Sequence, residues 1–193
     1  MIEYACLVVI LLIKMNDILD EKDKRLRLVS KDATFPLSKK DLKAIDDMIT
    51  YLTNSQIEDI AEKEGLRPGM GMAAIQLGIN KRYFVVVYEV TKEDDIEQKF
   101  ETYILVNPKM VSHSEEIICA ETGEGCLSVN RETDGYVKRY ARVTMSGFDI
   151  NGSAITIRAR EELAIAFQHE LDHLNGILFI DKLTNDIEGI RTI

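Results

Sequence analysis

The sequence predicts one α+β domain: small antiparallel β-sheets around a central helix that bears a metal site. Three observations lead there. Short β-branched runs, residues 83–90 and 103–106, are bounded by charges or turn residues. Asn151-Gly152 separates two further runs, residues 142–150 and 154–159, and is the strongest short signal for a β-hairpin. Residues 168–173 read Gln168-His169-Glu170-Leu171-Asp172-His173, inside a stretch opened by Glu161-Glu162 and closed by Leu174-Asn175-Gly176. At 193 residues one domain is the expected organisation, with length enough to bury a substantial core.

The elements follow in chain order. Residues 4–13 form an unbroken apolar run, too short for a bilayer, where about 20 residues are needed. Glu3 before it and Asn16-Asp17 after it do not fit a secretory signal. Val8, Val9 and Ile10 favour a strand there. Ser38 and Asp41 have capping-box spacing, and Leu42, Ile45, Ile49 and Leu52 follow at helical intervals. That helix is expected to break near Asn54-Ser55 and to stop at Gly65. Residues 83–90 read as a buried strand and residues 91–98 as a charged, solvated turn. The strand at 103–106 is expected to halt at Asn107-Pro108.

Composition excludes some functions. A net charge of −9 argues against autonomous nucleic-acid binding, which rests on basic patches. Apolar content of 46% with 30% charged residues is globular, not disordered. An odd count of three cysteines without a framework points to a reducing, cytoplasmic setting and no disulfide.

The chemistry concentrates at the H-E-x-x-H core. Positions i and i+4 share a helix face, so His169 and His173 can offer two imidazole nitrogens to one divalent ion. Glu170 lies about 100° further round, able to take a proton without ligating. The third histidine, His113, stands in a polar stretch and reads as a surface residue. Cys126, in Gly123-Glu124-Gly125-Cys126-Leu127-Ser128, is the better third ligand, although a lone cysteine is more often a buried structural thiol. Residues 69–78, Gly-Met-Gly-Met-Ala-Ala-Ile-Gln-Leu-Gly, lack the pattern of a phosphate-binding loop.

Taken in order, G-x-G-x-A-A-x-Q, E-G-C-L-S and Q-H-E-x-D-H resemble the three motifs of the peptide deformylases. The long loop between Gly123 and Tyr136, and the Gly-Leu-Arg-Pro-Gly entry to the first motif, resemble the Gram-positive-type branch. Ile75 departs from the proline often found there, and the N-terminus is longer than usual. The resemblance places the family's usual start near Met15. Residues 1–14 are therefore expected to reflect an upstream start or else an added strand or contact-mediating extension, and residues 15–193 the catalytic domain.

The resemblance implies a hydrolase that removes the formyl group from the N-formyl-methionine of new polypeptides, releasing formate. Cys126, His169 and His173 would hold one divalent ion, ferrous in the cell, with zinc, nickel or cobalt also compatible. Glu170 would carry protons, and the Gln76 amide and Leu127 N–H would stabilise charge on the formyl oxygen. Met70, Gly71 and Gly125 would pair with the peptide backbone as an added strand, and Ile165 would wall the methionine pocket or simply pack the core. Glu124, Arg139 and Asp172 are the expected supports, with a Glu124–Arg139 ion pair fixing the loop. The enzyme is expected to act as a monomer on nascent chains near the ribosome, with no membrane role. Three rival readings are a generic zinc peptidase, a binder of N-terminal peptides, and a structural metal module with Cys119 as fourth ligand.

Overall fold

The computed structural model describes residues 13–92 and 94–193, so most of the apolar run at residues 4–13 lies outside the described residues. The elements run α1 (Lys39–Ser55), α2 (Glu58–Glu64), β1 (Gly71–Ala73), β2 (Tyr83–Glu89), β3 (Phe100–His113), β4 (Ile117–Cys119), β5 (Tyr136–Val137) and β6 (Arg139–Tyr140). They continue with β7 (Arg142–Phe148), β8 (Ala154–Arg160), α3 (Glu161–Leu174), β9 (Leu183–Thr184) and β10 (Arg191–Thr192). Five strands form the largest sheet, in the order β1-β2-β3-β7-β8 and antiparallel throughout. A smaller sheet has the order β10-β4-β6, and its β10–β4 pairing is parallel.

The α1 helix starts as the sequence predicts. Ser38 Oγ accepts from the Asp41 N–H, and Asp41 Oδ2 accepts from the Ser38 N–H, each at 3.2 Å. Its apolar stripe differs from the expected one: Ile45, Met48, Tyr51 and Leu52 are buried, while Leu42 faces solvent. Asp41 occupies the inward position one turn before Ile45 and pairs there with Lys81 at 2.5 Å, which rotates Leu42 outward. The helix ends at Ser55, and after α2 Gly65 takes a left-handed φ of 63° at the stop.

The strand expected to halt at Asn107-Pro108 runs on to His113. Proline lacks a donor for the ladder, and the register with β7 slips between Val106 and Lys109 to accommodate it. Asn107 adopts φ 53°, and its side chain replaces lost pairing by bonding to both the N–H and C=O of Ala33, at 2.8 and 2.9 Å. The β7–β8 hairpin forms, with Gly152 at φ 85°. Asp149 Oδ1 accepts from the N–H of Asn151 and Ser153, so the connection spans more than the two residues of the tightest turn.

Two apolar clusters flank the large sheet. One joins α1 to Met72, Val85 and Val87, and includes Ile13 and Ile18. The other joins Phe84, Val86, Leu105 and Met145 to Phe167, Leu171 and Leu174 of α3. Alternation along β2 thus feeds both faces, and α3 lies against the sheet with its apolar stripe, Ala164, Phe167, Leu171 and Leu174, turned to it. Cys119 and Cys126 are free thiols, and no described helix is long and apolar enough to cross a membrane.

Asp41 gives a pH-dependent test of this packing. Burial opposes its ionisation, but Lys81 and Ser38 outweigh burial and hold the carboxyl below its ordinary value. Such a group stabilises fully above its unfolded pKa of about 3.9, and the contribution disappears as pH falls through the depressed folded value. Asp41→Ala should cost about 1–2 kcal/mol at pH 7 in urea unfolding. The difference from the parent should shrink toward pH 2.

Candidate metal centre

Three donors converge at one end of α3. Cys126 Sγ lies 3.2 Å from His173 Nε2, which lies 3.2 Å from His169 Nε2, and all three sit within 4.8 Å of one another. Tetrahedral bonds of about 2.05 Å to nitrogen and 2.3 Å to sulfur would set N···N near 3.3 Å and S···N near 3.5 Å. The two separations that involve His173 therefore fit one ion to within a few tenths of an ångström. Cys119 is not in this group, so no fourth protein ligand is found among the described residues. His113 is also elsewhere, exposed and stacked on Tyr140 with ring centroids 3.6 Å apart.

Each donor is oriented by neighbours. His169 Nδ1 is 2.8 Å from Glu124 Oε2, so the N–H belongs on Nδ1 and the Nε2 lone pair faces the other donors. Phe179 lies along the face of the same ring, at 6.0 Å and 25°. The Ser128 N–H points to Cys126 Sγ at 3.4 Å, and Gln76 Nε2 lies 3.7 Å from the same sulfur, an arrangement suited to a thiolate. His173 Nδ1 and Glu170 Oε2 are buried without a hydrogen-bond partner among the described residues.

The supports form one buried charge cluster. The Arg139 guanidinium donates to both oxygens of Glu124, at 2.7 and 2.9 Å, and its remaining nitrogen pairs with Asp172. Lys182 Nζ reaches the two Asp172 oxygens at 2.7 and 2.6 Å. Burial alone would raise the Glu124 pKa, yet Arg139 and His169 hold it down at about 2. Glu170 has no such partner, and burial pushes it up to about 7.

A cleft of about 390 Å³ opens beside the donors, lined among others by Met70, Gly71, Gln76, Gly125, Leu127, Ile165 and Glu170. Gln76 is buried in a 3₁₀ turn (Ala74–Leu77), with its Oε1 accepting from the Ala73 N–H at 2.8 Å and its Nε2 3.2 Å from Ser128 Oγ. Ile75 beside it is fully buried. β1 is an edge strand of the large sheet. The Met70 carbonyl accepts from the Val87 N–H, but the Val87 carbonyl takes Gln56 Nε2 instead, so the Met70 N–H is released from the ladder. In an antiparallel pair the groups of the next residue, Gly71, face away from the partner strand, here toward the cleft. A Cβ on Gly71 would come within 2.4 Å of Glu170 Oε1, so glycine is what lets the carboxylate lie against the strand. A Cβ on Gly125 would meet nothing within 4 Å, and the glycine leaves open space in the cleft.

Arg67 and Ser128 escape the sequence reading, which leaves Gln168 open between a supporting role and an ordinary helix position. Arg67 NH2 donates to the carbonyls of Cys126 and Val129 at 3.1 Å, clamping the turn that carries the thiol. Its place in the Gly-Leu-Arg-Pro-Gly segment was the available signal. Gln168 bonds to the N–H and C=O of Tyr140, at 3.0 and 2.9 Å, so a helix side chain completes the β6 edge. Ser128 orients both Gln76 and the thiol.

Comparison with known proteins identifies the family. Residues 15–188 match the family model described as polypeptide deformylase. A peptide deformylase of Listeria monocytogenes is 46% identical over 175 residues, covering 91% of this chain and 93% of the relative. Peptide deformylase 2 of Bacillus anthracis is 42% identical over 175 residues, covering 91% and 92%. Among solved structures, a probable peptide deformylase from Synechococcus phage S-SSM7 superposes with a TM-score of 0.67 at 32% identity, covering 86% of this chain and 98% of that one. A Met-Ala-Ser-bound class I type b peptide deformylase from Acinetobacter baumannii gives 0.65 at 26%, covering 86% and 96%. The chain belongs to the polypeptide deformylase family, and is a metal-dependent hydrolase that removes the N-formyl group from newly made polypeptides.

Proposed function

We propose that Cys126, His169 and His173 hold the divalent ion of this enzyme and that Glu170 is its proton carrier. The convergence of one thiol and two imidazole nitrogens beside a buried, unpartnered carboxylate is the observation that carries this assignment. When bound, such an ion lowers the pKa of water and polarises a carbonyl oxygen. Glu170 takes the proton from the attacking water and later delivers it to the leaving amine nitrogen, so that formate and a free N-terminus result. As charge builds on the formyl oxygen, Gln76 Nε2 and the Leu127 N–H donate to it. Preorganised donors of this kind are each worth about 3 kcal/mol of barrier.

The peptide backbone adds as a strand along β1, pairing with Met70, Gly71 and Gly125, while Ile165 meets the formyl-methionine side chain. Glu124, Arg139 and Asp172 keep the ligands in register. Ferrous iron is the working ion; zinc, nickel and cobalt suit the same donors. The enzyme works as a cytoplasmic monomer on chains emerging from the ribosome. A generic zinc peptidase is disfavoured because Cys126 stands with the histidine pair.

The direct assay is formate release from formyl-Met-Ala, with acetyl-Met-Ala as control. Glu170→Ala should retain stoichiometric metal and lose several orders of magnitude in kcat. Loss of the metal in that variant would contradict its assignment as a proton carrier. Cys126→Ser should weaken metal binding or change its preference, as read by competition among iron, zinc and nickel. A chain begun at Met15 should still release formate, since every group named here lies beyond residue 66. It also loses buried Ile13 and the Lys14–Glu64 pair, and should melt lower by the equivalent of about 1–2 kcal/mol.

A further inference from the structure

Residues 189–193 lie beyond the stretch that matches the family model, yet the last of them, Ile193, supplies part of the cleft wall. From His169 the cleft runs back along α3, past Ala166 and Ile165, toward Glu162. Ile165 belongs to a small apolar cluster with Ile118 and Ala141, and Ile193 packs against that cluster while also lining the cleft. Ile193 is only half-buried, so it retains apolar surface for a ligand.

A short final strand would ordinarily fray. This one is tied on both sides. β10 pairs in parallel with β4, Arg191 opposite Ile118 and Thr192 opposite Cys119. The Ile193 N–H donates to the Cys119 carbonyl at 3.0 Å, and the Ile193 carbonyl accepts from the Glu121 N–H at 2.7 Å. Arg191 donates to Glu116 at 2.9 and 3.1 Å and to both oxygens of Glu161 at 2.9 Å, joining the strand to the start of α3. Glu161 opens the helix that carries Ile165, and Glu116 directly precedes the strand that carries Ile118, so these bonds set where Ile193 stands relative to both.

We propose that Ile193 is a specificity-determining residue, closing the pocket for the side chain of the formylated residue and setting its width. This rests on the deformylase reading. Apolar pockets discriminate by size, and one methylene more or less in such a pocket is worth roughly 10- to 200-fold in kcat/KM.

The test compares formyl-Met-Ala with formyl-Phe-Ala by formate release, with metal content measured for each protein. Ile193→Ala should lower kcat/KM for formyl-Met about three- to tenfold, mainly through KM, and shift the Met:Phe ratio toward Phe. Ile193→Phe should narrow the pocket and shift the ratio toward Met. Arg191→Ala, which frees the strand, should move the ratio in the same direction as Ile193→Ala without loss of metal. A Met:Phe ratio unchanged within about twofold in both Ile193 variants, with rates falling uniformly, would overturn the inference alone. No formate from the unmodified metal-loaded enzyme would overturn the deformylase reading and this inference with it.

Discussion

The site depends on one buried guanidinium. Arg139 and Glu124 are 2% and 4% exposed, so neither charge could stay there without the other. Arginine's planar fork meets the Glu124 carboxylate in two parallel bonds, and its third nitrogen turns to Asp172 on α3. Glu124 then passes the constraint on through His169 Nδ1. A loop residue two positions before the thiol and a helix residue one position before a histidine are thereby fixed to the same strand, β6. Ion pairs buried this deeply add little net stability over an apolar core, but breaking one leaves an uncompensated charge. The product of the arrangement is position: sulfur and imidazole nitrogens held at metal-binding distances.

The rest of the fold supplies the surroundings of that frame. The β4–β6 pairing puts Arg139 beside the loop that contains Glu124, and the Gln168 amide bonds α3 to the adjoining Tyr140 backbone. Arg67 holds the Cys126 turn from the opposite side. β1 ends the large sheet, so its outer edge is open at the place where Gly71 admits the Glu170 carboxylate. The three donors, the Glu170 carboxylate and the open edge of β1 are therefore set by adjoining elements. A disturbance of the Cys126 loop should be felt by all three.

The sequence was most legible where residue type and local spacing decide structure. Histidines four apart around a glutamate, the Ser38–Asp41 cap, the Asn151-Gly152 turn and Gly65 are local signals, and the structure has the corresponding elements. It was least legible where distant contacts override local preference. Asn107-Pro108 reads as a stop, yet β3 passes through it because Ala33, far away in sequence, pairs with the Asn107 side chain. Leu42 fits a helical stripe, but the buried Asp41–Lys81 pair turns it to solvent. Arg67 and Gln168 act through backbone groups of remote segments, and no periodicity reports such bonds. The Ile193 wall exists only because β10 returns to β4, a pairing that two residues of strand cannot announce.

The most direct measurement is the affinity of Glu124→Gln for Zn²⁺ and Co²⁺ by competition with a chelating dye. The substitution keeps the shape of the side chain and removes the charge that both Arg139 and His169 face. If the buried pair sets the donor geometry, affinity should fall about 10- to 100-fold while the far-UV spectrum stays that of the folded protein. An affinity within about twofold of the parent would contradict the account and leave the three donors positioned by packing alone.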